Sequence, residues 1–198
     1  MRTKPDVFII ESLDPDDEGN GRFEGGTISN ILRLHGKEPK YRYVRSRKEF
    51  KGAIKEFGNS GYRYLHISAH GDFQGLCTTN LDSIDYIKLA NLLKPHFKNK
   101  RLFISACSMV HQNMANSIIQ ATECYSVIGP ADDIEFHKAS IFWASLYHLL
   151  FLKDSEIMTR KNLKDILEKA GNLFEVNMKF FSKSGDNSAE EVLLATIS

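Results

Sequence analysis

The sequence has almost no excess of charge of either sign. Its 26 lysines and arginines stand against 25 acidic residues, which gives a net charge of +1. Such a balance creates no field that would attract a polyanion, so neither nucleic acid nor an anionic membrane is expected as a partner. One basic cluster, Arg42, Arg45, Arg47 and Lys48, is short. A solvated corner between a strand and a helix explains it better than a nucleic-acid patch.

Long apolar runs are also missing. The apolar stretch nearest the N-terminus, Val7 to Ile10, is too short for the core of a secretion signal and far too short to span a bilayer. A longer apolar-rich stretch at residues 141–152 contains Ser145 and His148, and it predicts a buried amphipathic helix. We therefore expect a cytoplasmic protein that does not bind a membrane.

Cysteine is scarce. Cys77, Cys107 and Cys124 do not have the spacing of a zinc site, and their odd number leaves one thiol unpaired in any disulfide scheme. Free thiols fit the reducing environment of a cytoplasm. The sequence implies neither a metal nor an organic cofactor.

The chain does contain a regular alternation of strand-like and helix-like segments. Strands are predicted at residues 6–12, 41–46, 62–69, 101–106 and 124–129. Helices are predicted at residues 27–36, 47–57, 85–93, 109–119, 134–152 and 161–181, with an exposed loop at 14–26. Strands separated by single helices imply right-handed crossovers and a mostly parallel sheet covered on both faces. We predict one α/β domain over residues 1–198, a three-layer α/β/α sandwich in which residues 153–198 form a C-terminal helix and a flexible tail.

Two of the predicted strands end on a reactive side chain. The segment YLHISAHGDF, residues 64–73, carries His70, and LFISACSMV, residues 102–110, carries Cys107. In parallel sheets, ligands bind at the carboxyl ends of the strands. Neighbouring strands lie only about 5 Å apart. If these two strands are neighbours, the imidazole and the thiol share one crevice.

These residue types are the ones that nucleophilic catalysis by cysteine requires. A thiolate is the nucleophile, and a nearby imidazole can accept its proton. The helix predicted just after Cys107 would favour the thiolate. The backbone N–H groups of Cys107 and Gly71 could stabilise an oxyanion, and Gly71 has no Cβ to block a carbonyl. A lone cysteine or histidine at a strand end is usually structural, so the residues alone leave catalysis and a structural role both open.

The pair HISAHG and FISACS resembles the caspase–hemoglobinase group of cysteine peptidases, and most closely its bacterial CHAT branch. On that pattern His70 and Cys107 match the catalytic dyad, and Gly71 matches the glycine of the oxyanion hole. The similarity continues into residues 126–150 and covers about residues 6–152. It implies a caspase-like cysteine endopeptidase that cleaves a protein or peptide and needs no cofactor. It also implies control by a regulatory partner or activating ligand, as in bacterial signalling or antiphage defence.

The sequence departs from the caspase pattern where the substrate is recognised. Ser105 stands where caspases have a glutamine, which argues against cleavage after aspartate. Within residues 22–32, Glu24 takes the place of the caspase arginine that grips a substrate aspartate. An acid there, or Asp132 and Asp133 after the fifth strand, would favour a basic P1 residue by charge complementarity. The alternative is that these acids are solvated loop residues.

Other interpretations stay open. His66 lies on the same strand face as His70, and we interpret it as a packed histidine rather than a second base. A catalytically inactive scaffold or binding module on the same fold is the main alternative to a peptidase, and a thioester hydrolase or acyltransferase could use the same dyad. A nucleotide-binding domain of flavodoxin type is disfavoured, because no ordered glycine fingerprint opens a helix after the first strand.

Overall fold

Nine strands and seven helices make up residues 3–195, the part of the chain that the computed structural model describes. The strands are β1 (Lys4–Ser12), β2 (Lys40–Tyr43), β3 (Tyr62–Gly71), β4 (Gly75–Cys77), β5 (Ser83–Asp85), β6 (Arg101–Ser105), β7 (Ser126–Pro130), β8 (Met178–Lys183) and β9 (Ala189–Glu191). The helices are α1 (Pro15–Gly19), α2 (Glu24–Leu34), α3 (Arg47–Ser60), α4 (Tyr86–Leu93), α5 (Gln112–Thr122), α6 (Phe136–Lys153) and α7 (Arg160–Phe174).

The sheet is mostly parallel, as predicted. Its strands follow the order β2-β1-β3-β6-β7-β8-β9. β1 pairs in parallel with β2 and β3, and β6 pairs in parallel with β3 and β7. β8 and β9 extend one edge in antiparallel pairing, and β4 and β5 form a small antiparallel ribbon beside the end of β3. The strands that lead to His70 and Cys107 therefore lie side by side.

Helices cover both faces of the sheet, which confirms the three-layer α/β/α sandwich. Successive residues of a strand point to opposite faces. Phe8 and Ile10 of β1 belong to the core shared with α3, α4 and α5, whereas Val7 and Ile9 belong to the core shared with α2, α6 and α7. All four side chains are fully buried. Burial on both faces explains why the strands are uninterrupted apolar runs.

Helix α6 fills much of the second core. Phe142, Trp143 and Leu146 are fully buried, as expected for the apolar face of this helix. The ring of Trp143 meets Phe103 of β6 edge to face, with ring centroids 6.2 Å apart. Within residues 3–195, no helix combines the length and the hydrophobicity needed to cross a membrane.

The prediction of an exposed loop at residues 14–26 is wrong, because this segment holds α1 and the start of α2. Asp14 caps α1 by accepting a hydrogen bond from the backbone N–H of Asp17 at 2.7 Å, and Pro15 follows it within the first turn. A capping acid, an early proline and further acids in the first turn are ordinary signals of a helix start. The glycine-rich composition of the segment outweighed them in the prediction.

The C-terminal helix is shorter than the predicted one, which covered residues 161–181. α7 ends before Glu175, which has a left-handed conformation with φ 53°, and β8 follows. In β8, Phe180 packs into one core and Phe181 into the other, so this strand is buried on both faces. β9 pairs with β8, so residues 189–191 of the predicted flexible tail are held in the sheet.

Substitutions of two leucines in α7 test how this helix packs against the sheet. Leu167 is fully buried, whereas Leu173 is 73% exposed. We expect Leu167→Ala to lower the free energy of unfolding by about 2–5 kcal/mol, because it leaves a cavity in the core. Leu173→Ala is the matched control and should change it by less than about 0.5 kcal/mol. Urea denaturation measures both, and equal losses would contradict this placement of α7.

Candidate active site

The ends of β3 and β6 bring together the two reactive residues predicted from the sequence. These strands are neighbours, and Ser68 lies opposite Ser105 in their last pair. His70 and Cys107 each follow two residues later, and both line one small cavity of about 40 Å³ at this edge of the sheet. The predicted shared crevice is therefore present, while the chemical roles of the two residues stay predictions.

Two carboxylates hold the imidazole of His70. Its Nε2 lies 2.6 Å from Oδ2 of Asp17 and 3.4 Å from Oδ2 of Asp14. Arg22 fixes Asp17 in turn by donating to Oδ1 at 2.7 Å. Burial raises the pKa of Asp17, but hydrogen bonds from Arg22 and His70 outweigh burial and leave this pKa below its ordinary value. Asp17 is therefore ionised at neutral pH and orients the imidazole, and Nδ1 is the ring nitrogen that remains for proton exchange with a thiol.

No role was predicted for Asp17 from the sequence. Residues 14–26 were predicted as a loop, so no element was available to aim a carboxylate at His70, which is 53 residues away in the chain. The signal that could have found it is the helix start at Asp14 and Pro15. A short helix directly after β1 must begin at the carboxyl edge of the sheet, where His70 also lies.

Cys107 lies in a tight turn after β6. Its Sγ is 3.8 Å from the carbonyl oxygen of Ile134. The next residue, Ser108, has a positive φ of 50°, and its hydroxyl donates to Oδ1 of Asp133 at 2.8 Å. A left-handed conformation at a residue other than glycine costs of order 1–3 kcal/mol. The link to Asp133 therefore helps to hold the turn that presents Cys107.

Helix α5 begins later than predicted. Its first residue is Gln112 and His111 caps it, whereas a helix was expected from residue 109 onward. The field of a helix terminus falls off within the first turn. The prediction that Cys107 sits directly before a helix start is therefore wrong, and its surroundings are set by the turn and by His70 instead.

Gly71 is required where the two strand ends approach each other. A Cβ at this position would lie 2.9 Å from the Cβ of Ala106 and 2.9 Å from the carbonyl oxygen of Gly75. Both contacts are shorter than packed atoms allow. Packing is thus a sufficient reason for glycine here, and the role of its N–H in an oxyanion hole stays a prediction.

Glu24 is buried and lines the same cavity, together with Ser105. Ser105 donates from its hydroxyl to Oε2 of Glu24 at 2.9 Å. Oε1 lies 3.2 Å from Nε2 of His66, and Nδ1 of His66 lies 3.1 Å from the hydroxyl of Tyr147. The alternative that Glu24 is a solvated loop acid is wrong, since it is only 2% exposed at the start of α2.

A second buried acid fixes the start of α2. Glu11 of β1 is fully buried, accepts a hydrogen bond from the backbone N–H of Gly25 at 2.8 Å, and accepts another from the hydroxyl of Tyr41 at 2.6 Å. Burial raises the pKa of Glu11 to about 7, against the lowering effect of these hydrogen bonds. Glu11 therefore ties α2 to the sheet at the residue next to Glu24.

The other two acids proposed for substrate binding do not line this cavity. Asp132 accepts a hydrogen bond from the side chain of Asn177 at 2.8 Å, and Asp133 accepts one from Ser108. Both carboxylates follow β7 and lie beside a separate surface pocket with Lys138. Of the four residues, the structure thus brings only Glu24 and Ser105 to the cavity of the dyad.

Within residues 3–195, one group of side chains could hold a metal ion. The carboxylates of Asp14 and Asp17 and the Nε2 of His70 lie within 4.8 Å of one another, which would suit a divalent ion. The direct hydrogen bond between Asp17 and His70 already accounts for their arrangement. Burial raises the pKa of Cys124 to about 11, and burial and the nearby Asp82 raise that of Cys77.

No family model matches the sequence, and none of the curated proteins does. Solved structures of similar fold include C11 cysteine proteases. An inactive zymogen C11 protease from Parabacteroides distasonis matches with a TM-score of 0.60 and 14% identity over 92% of this chain and 63% of that one. A secreted C11 cysteine protease from Bacteroides thetaiotaomicron matches with a TM-score of 0.64 and 10% identity over 92% of this chain and 67% of that one.

Separase from Saccharomyces cerevisiae, solved in complex with securin, is also similar. The match has a TM-score of 0.53 and 12% identity, and it covers 91% of this chain but only 12% of the separase chain. At these identities the likeness concerns the fold, which is the caspase-like α/β fold predicted from the sequence. The chain spans less than two thirds of the length of the Parabacteroides protease.

Alkylation of the three cysteines tests the site without any assumption about substrate. We expect iodoacetamide at neutral pH to label Cys107 first, Cys77 more slowly, and the buried Cys124 at least about tenfold more slowly. His70→Ala should slow labelling of Cys107 alone. Peptide mass spectrometry measures all three rates, and a Cys107 rate equal to that of Cys77 and insensitive to His70→Ala would contradict a functional pair.

Proposed function

We propose that this chain is a cysteine endopeptidase that uses His70 and Cys107 as a catalytic dyad. The observation that carries the proposal is that the two side chains follow adjacent parallel strands and line one cavity, with the imidazole fixed by Asp17. The caspase-like fold, shared with the two C11 cysteine proteases, supports it.

The chemistry follows from the position of the proton on His70. With Nε2 held by Asp17, Nδ1 accepts the thiol proton of Cys107, and the sulfur attacks the scissile carbonyl carbon. The N–H groups of Cys107 and Gly71 stabilise the oxyanion that forms. His70 then returns the proton to the leaving amine, which leaves a thioester. Water activated by the same imidazole hydrolyses the thioester and restores the thiol, so no cofactor is needed.

Glu24 and Ser105 form the base of the proposed S1 pocket. Both side chains are buried and hydrogen-bonded to each other, and they line the cavity beside the dyad. A carboxylate in a pocket of low dielectric attracts a cation strongly. We therefore propose substrates with lysine or arginine at P1, recognised by Glu24 rather than by Asp132 or Asp133.

The size of the cavity supports regulated activity. Its volume, about 40 Å³, is close to that of one water molecule, roughly 30 Å³. Ile134 and Phe136 line it, and the Ile134 carbonyl touches the sulfur of Cys107. A lysine or arginine enters only after residues 132–136 move. We propose that a protein partner or a ligand moves them, and the structural neighbour described as an inactive zymogen fits such a latent form.

The resemblance to the CHAT branch supports a proposal about the cellular role of this activity. The proposed role is that of a cytoplasmic effector in bacterial signalling or antiphage defence, with a protein or peptide substrate and a separate regulator. Full activity of the purified chain without any added partner would contradict the latent form.

The small volume of the cavity also favours a second candidate, an inactive scaffold that uses the same fold to bind a partner. Cys107→Ala separates the two functions. A peptidase loses its biological effect with this change, whereas a scaffold keeps it. The readout is the cellular phenotype of the full chain compared with that of the variant.

Asp17→Asn tests how the imidazole is oriented. We expect kcat/KM for peptide cleavage to fall about a hundredfold, the lower end of what general acid–base catalysis contributes. Asp16→Asn is the matched control, since Asp16 lies in the same helix but is exposed. Steady-state kinetics and thermal melting are measured for both variants. Equal activities, or a loss explained by unfolding of the Asp17 variant, would contradict the orienting role.

Glu24→Gln tests the P1 preference. Peptidyl acyloxymethyl ketones with lysine, arginine, aspartate or leucine at P1 should alkylate Cys107 fastest when P1 is basic. Glu24→Gln should reduce the preference for basic over leucine probes by about tenfold to a hundredfold, because a charged hydrogen bond is lost. Asp132→Asn, the control, should keep the preference. A preference for aspartate, or its loss in the Asp132 variant instead, would overturn the assignment.

A further inference from the structure

Each carboxylate oxygen of Glu24 has its own buried neighbour. Ser105 donates to Oε2 at 2.9 Å, and Nε2 of His66 lies 3.2 Å from Oε1. His66 is fully buried beneath α6, where the edge of its ring meets Trp143 with centroids 4.9 Å apart. Ser105 is uncharged, so the protonation state of His66 decides whether the charge of Glu24 is neutralised by these two neighbours.

Tyr147 lies at the far side of His66. Its hydroxyl is 3.1 Å from Nδ1, and the residue is fully buried. Burial raises the pKa of this phenol well above its ordinary value, so the hydroxyl keeps its proton at neutral pH. In the described part of the chain, the hydroxyl has no hydrogen-bond partner other than His66.

The hydrogen bonds around His66 favour one of its protonation states. When His66 is neutral with its proton on Nε2, Tyr147 donates to Nδ1 and Nε2 donates to Glu24. Every buried donor then has an acceptor. When His66 is doubly protonated, both ring nitrogens donate, and the phenolic proton of Tyr147 is left without an acceptor. An unpaired buried donor is unfavourable, because its hydrogen bond to water is lost and not replaced.

The charge of Glu24 has no other source of compensation within residues 3–195. No lysine or arginine there forms an ion pair with it, and His66 is its only ion-pair partner. Glu11 adds repulsion when it is ionised. Beside a neutral His66, an ionised Glu24 therefore has no cation within these residues to offset its charge.

We infer that Tyr147 and His66 are positioning residues that keep the charge of Glu24 uncompensated, so that the lysine or arginine at P1 of a substrate supplies the missing cation. This inference rests on the proposed peptidase function. His66 and Tyr147 are polar residues buried behind the proposed S1 pocket, where they hold and orient the Glu24 carboxylate without neutralising it. A substrate with an apolar P1 residue leaves the buried charge unpaired, which is a penalty against binding.

The protonation state is measured directly on the full chain by long-range ¹H–¹⁵N correlation spectra with ¹⁵N-labelled histidine. At pH 7, His66 should show a protonated Nε2 and an unprotonated Nδ1. His66→Gln, or His66→Asn where the first variant does not fold, assigns its signals among the seven histidines. Tyr147→Phe should shift the Nδ1 resonance, because that nitrogen loses its donor. A doubly protonated His66 in the wild type, or an Nδ1 resonance that does not change in the Tyr147→Phe variant, would overturn the inference.

The functional measurement uses the acyloxymethyl ketone probes. Tyr147→Phe should lower the ratio of the P1-lysine to the P1-leucine labelling rate roughly fivefold to tenfold, with little change in the leucine rate. Tyr64→Phe is the matched control, because Tyr64 is a buried tyrosine of the same core whose hydroxyl is hydrogen-bonded to the Met158 backbone rather than to His66. If Tyr147→Phe leaves the ratio of the lysine to the leucine labelling rate unchanged, the inference about Tyr147 and His66 is overturned, but the proposed peptidase function is not. Absence of Cys107 labelling by every probe, together with iodoacetamide labelling of Cys107 no faster than of Cys77, overturns the peptidase function, and the spectra still report on His66.

Discussion

The parallel pairing of β3 with β6 is the constraint on which the candidate site depends. The last residue pair is Ser68 opposite Ser105. Beyond it, His70 and Cys107 follow on the two strands and line one cavity. The pairing also sets where Ser105 meets Glu24. A shift of one residue in this register would turn the side chains of one strand to the opposite face. The dyad and the proposed S1 pocket are thus two consequences of one register.

The segment between β1 and β2 supplies the acids that complete the site. α1 carries Asp17 to the imidazole of His70, and α2 begins with Glu24 beside Ser105. Glu11 holds the start of α2 through the N–H of Gly25. The sheet therefore provides the reactive groups, and this segment provides the charges that orient one of them and select the substrate that we propose.

Much of the fold was predictable, because strands buried on both faces read as apolar runs and their order implies a parallel sheet. His70 and Cys107 could also be singled out from local sequence, and Glu24 from the resemblance to caspases. Asp17 could not, because its partner is distant in sequence and its helix has only five residues. β8 was mistaken for helix because Phe180 and Phe181 both face a core, which removes the alternation that identifies a strand.

The most direct test of the account is a crystal structure of the chain after reaction with a peptidyl acyloxymethyl ketone that has lysine at P1. The account predicts a thioether on the sulfur of Cys107, the imidazole of His70 still bound to Asp17, and the lysine ammonium within hydrogen-bonding distance of Glu24. An adduct on Cys77, or a P1 side chain directed away from Glu24, would contradict it.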